Sequence, residues 1–131
     1  MKVALGILFL NGRVLIGRRK EKDFLIPRLT WVFPGGKVSD EESPRIGLKR
    51  EFKRETGFNV RIKRFLFSRV PSECSKITLF YYEVEPISGS LRAGGDLKEL
   101  KWVKPTEVVK YFTTSIDLRV MNYLKALEQK I

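Results

Sequence analysis

Residues 35–58 read GGKVSDEESPRIGLKREFKRETGF, and this stretch predicts a glycine-rich turn that is followed by a helix. Ser43 is a suitable N-cap, and Pro44 falls at the first helical position, where the missing N–H costs nothing. Gly57 is a natural stop, since glycine adopts the left-handed backbone that ends many helices. We therefore predict a helix over residues 43–57.

Two glutamates project from one face of that helix. Glu51 and Glu55 are four residues apart, which offsets their side chains by about 40° at roughly 100° per residue. Gly47 lies one turn earlier on the same stripe, and because a helical glycine costs up to about 1 kcal/mol, it predicts the close approach of another backbone. Two stacked carboxylates beside a Gly-Gly loop suit Mg²⁺ or Mn²⁺. From the helix alone, a solvated face with both glutamates paired to Lys and Arg is the alternative.

The spacing of this stretch resembles the Nudix box, G-x5-E-x7-R-E-U-x-E-E-x-G-U, in which U is a bulky apolar residue. The matching positions are Gly36, Glu42, Arg50, Glu51, Phe52, Glu55, Gly57 and Phe58. The resemblance continues in residues 31–36 and 99–102, and so covers nearly the whole chain. It implies an α/β fold, a Nudix-type α/β/α sandwich with a mixed sheet, as a single domain over residues 1–131.

The resemblance also implies a chemistry and its residues. The expected reaction is the Mg²⁺-dependent (or Mn²⁺-dependent) hydrolysis of a diphosphate linkage in a nucleotide-type small molecule. Gly36 would offer a backbone carbonyl to the metal, while Glu51 and Glu55 hold the cation and Glu51 also activates water. Glu42 and Arg50 would form a structural ion pair that orients the loop on the helix.

One position departs from the box, because Arg54 stands where the family has the first glutamate of its Glu-Glu pair. Arg54 lies three residues after Glu51, about 60° around the helix, and so borders the same face. A cation there removes a metal ligand and repels a second metal. Three interpretations stay open: an active site with fewer metals, a site in which Arg54 grips a substrate phosphate, and a weak or inactive module. Arg54 turned toward Glu51, or toward an acid outside the box, would fit the third.

Other candidates for substrate binding lie outside the box. Arg18 and Arg19 end a predicted strand and could clamp phosphates, or they could be a solvated strand end. Glu99 resembles a family glutamate that serves as an extra base or ligand, with an ordinary ion pair as the alternative. Asp96 is a candidate to read a purine edge. Aromatic candidates for stacking on a base are Phe24, Trp31 and Tyr81, although aromatic residues more often belong to the core.

Composition excludes several other chemistries. The 131 residues include no histidine and one cysteine, Cys74, so a Ser-His-Asp triad, a His/Cys zinc site and an internal disulfide cannot be built. The net charge of +11 favours anionic partners such as nucleotides or nucleic acid. The longest apolar stretch, residues 3–10, is too short to cross a bilayer, so we expect a cytoplasmic protein without a membrane partner.

The remaining strands and helices are predicted from hydrophobic periodicity and from turn residues. Asn11-Gly12 between two apolar runs predicts a β-hairpin, with strands over residues 3–10 and 13–19. Further strands are predicted over residues 31–33, 58–70, 77–84 and 97–103, the first of them ended by residues 34–36. Turns are predicted at residues 88–90 and 93–95. A short helix is predicted over residues 105–111, and Ser115 is expected to cap a last helix.

The substrate stays open at this level. Nucleoside triphosphates, ADP-ribose and nucleotide sugars are the candidates, and the short chain favours triphosphates. Pro27-Arg28-Leu29 resembles a loop of nucleotide-sugar hydrolases, which keeps that class open. The alternative function is a catalytically weak or inactive module that binds nucleotide or RNA, motivated by Arg54 and the basic residues 61–64. RNA binding is not favoured, and a homodimer stays open.

Overall fold

The chain folds into seven strands and three α-helices in this computed structural model, which describes residues 1–130. The strands are β1 (Lys2–Leu10), β2 (Arg13–Arg19), β3 (Trp31–Val32), β4 (Gly35–Val38), β5 (Phe58–Arg69), β6 (Thr78–Gly89) and β7 (Leu97–Val103). The helices are α1 (Pro44–Thr56), α2 (Val108–Tyr111) and α3 (Leu118–Glu128), with a 3₁₀ turn at Pro105–Glu107.

Strand β1 is the centre of a mixed sheet with the order β3-β2-β1-β6-β5. It runs parallel to β6 and antiparallel to β4 along its first half, and its end pairs with β2. Strand β2 also pairs with β3 and β7, and β5 pairs with β6. Asn11 and Gly12 close the β1–β2 hairpin with φ of 52° and 79°, the left-handed pair that a tight hairpin needs. The predicted hairpin is confirmed.

Alternate residues of β1 enter two separate cores. Ala4 and Leu8 pack against α1, in a core that also holds Leu48 and Phe52. Ile7 faces the opposite core. There the apolar stripe of α3 covers the sheet, with Val120, Leu124 and Leu127 buried. Because strand side chains alternate between faces, this pattern places helices on both sides of the sheet. The predicted α/β/α sandwich is confirmed.

Helix α1 begins and ends where the sequence predicts. Ser43 is the N-cap, and its side chain accepts a hydrogen bond from the backbone N–H of Arg45 at 3.2 Å. Gly57 follows the helix with φ of 83°, and its N–H donates to the Lys53 carbonyl. The two caps hold the box glutamates in a regular helix.

The structure differs from the prediction at the ends of two strands. Residues 34–36 were predicted only to end a strand, but Gly35 begins β4 and pairs with Leu5 of β1. A Cβ on Gly35 would lie 2.0 Å from the Ala4 carbonyl oxygen, so the close pairing depends on glycine. Strand β6 runs to Gly89, through the turn predicted at residues 88–90, because β5 pairs with it over that length.

The cap of the last helix is also wrong. Asp117 caps α3 by accepting from the backbone N–H of Arg119 at 2.7 Å. Ser115 instead donates from its hydroxyl to Glu73 at 2.6 Å, which joins the segment before α3 to the β5–β6 connection. Within residues 1–130, none of the helices is long and apolar enough to span a membrane.

Candidate active site

Glu55 is a buried carboxylate where α1 faces β4. Its side chain is 3% exposed, and one oxygen accepts the backbone N–H of Gly35 at 3.0 Å. Burial raises the pKa of Glu55 to about 7, although the Gly35 N–H acts in the opposite direction. Among residues 1–130, no basic group lies within ion-pair distance of this carboxylate. A bound cation would therefore compensate its charge.

Glu51 lies one turn earlier on the same face and is 9% exposed. Its Oε1 accepts from Arg54 Nη2 at 2.8 Å, and its Oε2 accepts from Arg50 Nε at 3.4 Å. A Cβ on Gly36 would stand 2.5 Å from Oε1, so β4 passes this carboxylate only because residue 36 is glycine. The structure thus brings together Gly36, Glu51 and Glu55.

Gly47 has a packing role. A Cβ there would lie 2.2 Å from a methyl carbon of Val38 and 3.1 Å from Glu42 Oε1. The expected approach of a backbone is wrong, because the group that comes close is the Val38 side chain. The glycine still serves the site, since it lets β4 pack directly on α1.

Glu42 and Arg50 are joined by two hydrogen bonds. The two guanidinium nitrogens Nη1 and Nη2 donate to the two Glu42 oxygens at 2.7 and 2.9 Å. The backbone N–H of Ser39 donates to the same carboxylate at 2.9 Å. The hydrogen bonds from Arg50 and then Ser39 lower the pKa of Glu42 to about 2. The pair fixes the loop before α1 to the helix, as the ion-pair interpretation requires.

Arg54 contacts an acid on each side. Besides Glu51, its Nη2 lies 3.4 Å from Asp96 Oδ2 in the loop before β7. The hydrogen bond to Glu51 raises the pKa of Arg54 above its usual value. Both contacts have the form that fits the third interpretation of Arg54, a weak or inactive module, because the guanidinium pairs with Glu51 and with an acid outside the box. The sequence did not predict that this acid is Asp96, which was expected to read a purine edge. The Gly94-Gly95 pair before Asp96 is the sequence signal of a tight approach.

A cavity of about 790 Å³ borders Glu55, although neither Glu51 nor Arg54 is among the residues that line it. At one end it is lined by Gly35, Gly36 and Glu55, together with Arg19 and Asp96. The rest of its lining is largely apolar, with side chains from β1, β3, β6 and the segments on either side of β3, although Arg69, Glu73 and Lys76 also line it. The apolar and aromatic residues include Val3, Leu5, Phe24, Leu25, Ile26, Leu29, Trp31, Val32, Phe33, Leu79 and Tyr81. The cavity thus combines charged groups beside Glu55 with a large apolar surface.

Arg19 brings unused donors to the cavity wall. Its Nε is buried with no hydrogen-bond partner among residues 1–130, and its Nη2 lies 3.5 Å from Asp23. Arg18 and Glu99 do not line the cavity. They face each other across β2 and β7 and form an ion pair at 2.9 Å. This arrangement matches the ordinary ion pair and gives no support to Glu99 as a base or to Arg18 as a phosphate clamp.

The aromatic candidates differ in how exposed their side chains are. Tyr81 is 4% exposed and packs between Phe33 and Phe67, so it is mainly a core residue. Trp31 is half-buried, with Tyr111 edge-on at 5.4 Å between ring centroids. Phe24 is 94% exposed beside the cavity, and its ring is therefore free to move onto a ligand.

A divalent cation fits the oxygen atoms of this site. Carboxylates and a backbone carbonyl are the ligands that Mg²⁺ and Mn²⁺ prefer, and buried Glu55 has no basic group of residues 1–130 within ion-pair distance. No cluster of three or more His, Cys, Asp or Glu side chains suited to a metal occurs within residues 1–130. Water and substrate phosphates would therefore complete the coordination.

Known proteins resemble this chain in sequence and in fold. A sequence model of the NUDIX domain matches residues 1–124. The CTP pyrophosphohydrolase of Escherichia coli (strain K12) is 27% identical over 128 residues, 97% of this chain and 93% of that protein. The 8-oxo-dGTP diphosphatase of Buchnera aphidicola is 30% identical over 90 residues, 68% of this chain and 66% of that protein. The solved MutT protein from Methanosarcina mazei Go1 covers 99% of this chain and 94% of its own, with a TM-score of 0.72 at 19% identity.

The chain belongs to the Nudix family. It is a Nudix pyrophosphohydrolase, an enzyme that acts on pyrophosphate bonds of nucleotide-linked compounds. Nudix hydrolases generally use divalent metal ions, in keeping with the oxygen ligands described above. The predicted family, fold class and enzyme class are confirmed.

Proposed function

We propose that this protein is a Mg²⁺-dependent pyrophosphohydrolase of nucleoside triphosphates, oxidised ones included. The observation that carries the proposal is the buried, uncompensated Glu55 carboxylate at the polar end of a cavity with apolar walls. Relatives named for CTP and for 8-oxo-dGTP support triphosphates over ADP-ribose and nucleotide sugars. The cavity volume is that of an ordinary small-molecule site.

Three groups would hold the metal: the carboxylates of Glu51 and Glu55 and the backbone carbonyl of Gly36. The metal, when bound, would neutralise phosphate charge and lower the pKa of a bound water. Arg50 orients Glu51 through its Nε and holds Glu42 through its other nitrogens. Glu51 would accept the proton of the attacking water, as the resemblance implies.

The chain's other residues would position the substrate. Arg19 would donate its free N–H groups to a phosphate at the polar end of the cavity. Trp31 and Phe24 would contact the base, while Tyr81 forms the wall behind it. In the reaction, the water oxygen would bond to one of the two phosphorus atoms joined by the α–β bridging oxygen, and the bond from that phosphorus to the bridging oxygen would break. Nucleoside monophosphate and pyrophosphate are the expected products, with a proton released to solvent.

A substrate panel tests the proposal. Purified protein is incubated with Mg²⁺ and each of the common ribo- and deoxyribonucleoside triphosphates, 8-oxo-dGTP, ADP-ribose and several nucleotide sugars. We expect pyrophosphate from at least one triphosphate, no turnover with excess chelator, and recovery with Mg²⁺ or Mn²⁺. Turnover confined to ADP-ribose or a nucleotide sugar would overturn the triphosphate assignment while leaving the family chemistry intact.

A second candidate is a catalytically weak module that binds nucleotide or RNA. It is supported by Arg54, which occupies Glu51 instead of leaving that carboxylate free, and by the net charge of +11. Salt-dependent binding of a short single-stranded RNA, measured by fluorescence anisotropy, tests it. Submicromolar binding together with no turnover of any nucleotide would favour this candidate over the enzyme.

The proposal also places the enzyme in the cytoplasm, because its single cysteine, Cys74, suits a reducing compartment. The division of the chain into one domain over residues 1–131 and the homodimer remain predictions. Gel filtration with light scattering tests the second of these directly.

A further inference from the structure

Arg54 lies on the same face of α1 as the box glutamates, although its charge is opposite to theirs. Its Nη2 donates to Glu51 Oε1 at 2.8 Å and lies 3.4 Å from Asp96 Oδ2. One guanidinium nitrogen is thus shared by a carboxylate of its own helix and by Asp96, which lies 42 residues after Arg54 in the chain. A divalent ion could bridge two carboxylates in the same way.

The loop before β7 is shaped around this side chain. A Cβ on Gly95 would lie 2.8 Å from Arg54 Nη1, and Gly95 adopts a φ of 55°, which other residues rarely do. The N–H of Gly94 donates to the Glu55 carbonyl at 3.1 Å. A Cβ on Gly94 would stand 2.6 Å from the Arg54 carbonyl oxygen. Both glycines therefore let the loop dock on the last turn of α1 and leave room for the guanidinium.

We propose that the guanidinium of Arg54, seated between Glu51 and Asp96 on the Gly94-Gly95 turn, is a built-in cation that replaces a second divalent ion at this site. The inference rests on the proposed metal-dependent function and deepens it. Guanidinium stays protonated at every physiological pH, and its N–H groups fit carboxylate oxygens. Glu51 is thus neutralised in part without a metal, and a second metal beside it would be repelled. One divalent ion remains, shared by Glu55, Gly36 and the free positions of Glu51.

Mn²⁺ provides the test, because it can be counted and it reports neighbouring ions. Calorimetric titration gives the number of ions per chain, and low-temperature electron paramagnetic resonance separates an isolated Mn²⁺ from a coupled pair. For the natural protein we expect one ion with an uncoupled spectrum. For Arg54→Glu we expect a second ion, a coupled spectrum and an affinity that is raised about tenfold or more. Arg54→Lys keeps the charge and is expected to keep one ion.

Lys53→Glu is the matched control. It changes the net charge by the same amount at the adjacent position, but Lys53 is exposed and its Nζ donates to the Gly57 carbonyl, away from the glutamate pair. We expect one uncoupled ion in this variant, as in the natural protein. A second ion in Lys53→Glu would mean that the net charge of the protein, and not the position of Arg54, controls how many metal ions bind. That result would overturn the inference.

Arg54→Gln separates this inference from the other interpretations of Arg54. Loss of the cation with little loss of size should admit a second Mn²⁺. If Arg54→Gln instead raises KM tenfold while the ion count stays at one, Arg54 is a phosphate ligand and the inference is wrong. Two coupled ions in the natural protein would also overturn it. If the natural protein binds one Mn²⁺ but hydrolyses no nucleotide, the proposed function fails and the inference stands.

Discussion

The Glu55 carboxylate accepts a hydrogen bond from the backbone N–H of Gly35, 20 residues earlier in the chain, at 3.0 Å. This contact joins the last turn of α1 to the first residue of β4 and forms part of the cavity wall. It leaves the second carboxylate oxygen for another partner. The site is thus held together by the same group that we assign to the metal.

Replacing either box glutamate by glutamine should separate chemistry from stability. Glu51→Gln and Glu55→Gln remove a negative charge and keep the side-chain volume, so each should lower kcat by at least about 100-fold. Glutamine at position 55 retains an acceptor for Gly35 and removes a costly buried charge, so the melting temperature should hold or rise. Steady-state kinetics and thermal melts check both parts. Near-normal turnover in either variant would contradict the site assignment.

Arg50→Ala should destabilise the protein in a pH-dependent way. The pKa of Glu42 is lowered to about 2 by Arg50 and Ser39, below its usual 4.5. In the acid range the unfolded chain therefore binds more protons at Glu42 than the native one. The stability contributed by the pair is present above about pH 4.5 and is lost as the pH falls toward about 2.

Thermal melts of the natural protein and Arg50→Ala across that pH range measure this effect. We expect the melting temperatures to differ at pH 7 and to converge toward pH 2, with turnover also reduced at neutral pH. Lys49→Ala is the matched control, because Lys49 is an exposed cation of the same helix with no ion pair among residues 1–130. Equal melting temperatures of Arg50→Ala and the natural protein at pH 7 would count against the pair.

Gly36→Ala should displace Glu51. The added Cβ would stand 2.5 Å from Glu51 Oε1, and the backbone at Gly36 is open to any residue. The cost therefore falls on the carboxylate rather than on the strand. We expect at least about tenfold weaker Mn²⁺ binding and lower turnover. The double variant with Glu51→Gln should be no worse than Glu51→Gln alone, and additive losses would show that Gly36 acts elsewhere.

Phe24→Ala should weaken the binding of the base. The ring is 94% exposed beside the cavity, so its removal takes no contact from the core. We expect KM to rise about tenfold with kcat little changed, the effect of losing one aromatic stack. Phe24→Tyr should behave like the natural protein. Inhibition by tripolyphosphate, which has no base, should be unaffected, and an equal loss of tripolyphosphate affinity would place Phe24 at the phosphates.

The sequence predicted correctly the features that depend on interactions between residues close in the chain. The caps of α1, the Asn11-Gly12 hairpin and the offset of Glu51 and Glu55 depend on residues close in sequence, and the structure contains each of them. Strand β4 was missed because Gly35-Gly36 has the composition of a turn, while its pairing depends on the distant β1. Asp117, and not Ser115, caps α3, because the Ser115 hydroxyl donates a hydrogen bond to Glu73. That contact joins segments far apart in sequence, so the local pattern could not predict it.

The same distinction between local and distant contacts applies to the candidate site. The facing of Gly36 and Glu51 follows from the box once the family is recognised. The partner of Arg54 does not, because Asp96 is 42 residues away and only the sheet brings the two together. The pairing of Arg18 with Glu99 likewise depends on the register between β2 and β7, which no local pattern encodes.

The parallel pairing of β1 with β6 has a consequence for how the chain is made. Lys2 pairs with Thr78 and Leu8 with Val84, so during synthesis β1 must wait for about 70 further residues before its parallel neighbour β6 emerges from the ribosome. Until then the buried face of β1 is exposed, and the β1–β2 hairpin can form alone but cannot close either core. Contacts of such long sequence separation slow folding. A nascent chain stalled before β6 is therefore expected to remain a substrate for chaperones and proteases, however complete its Nudix box.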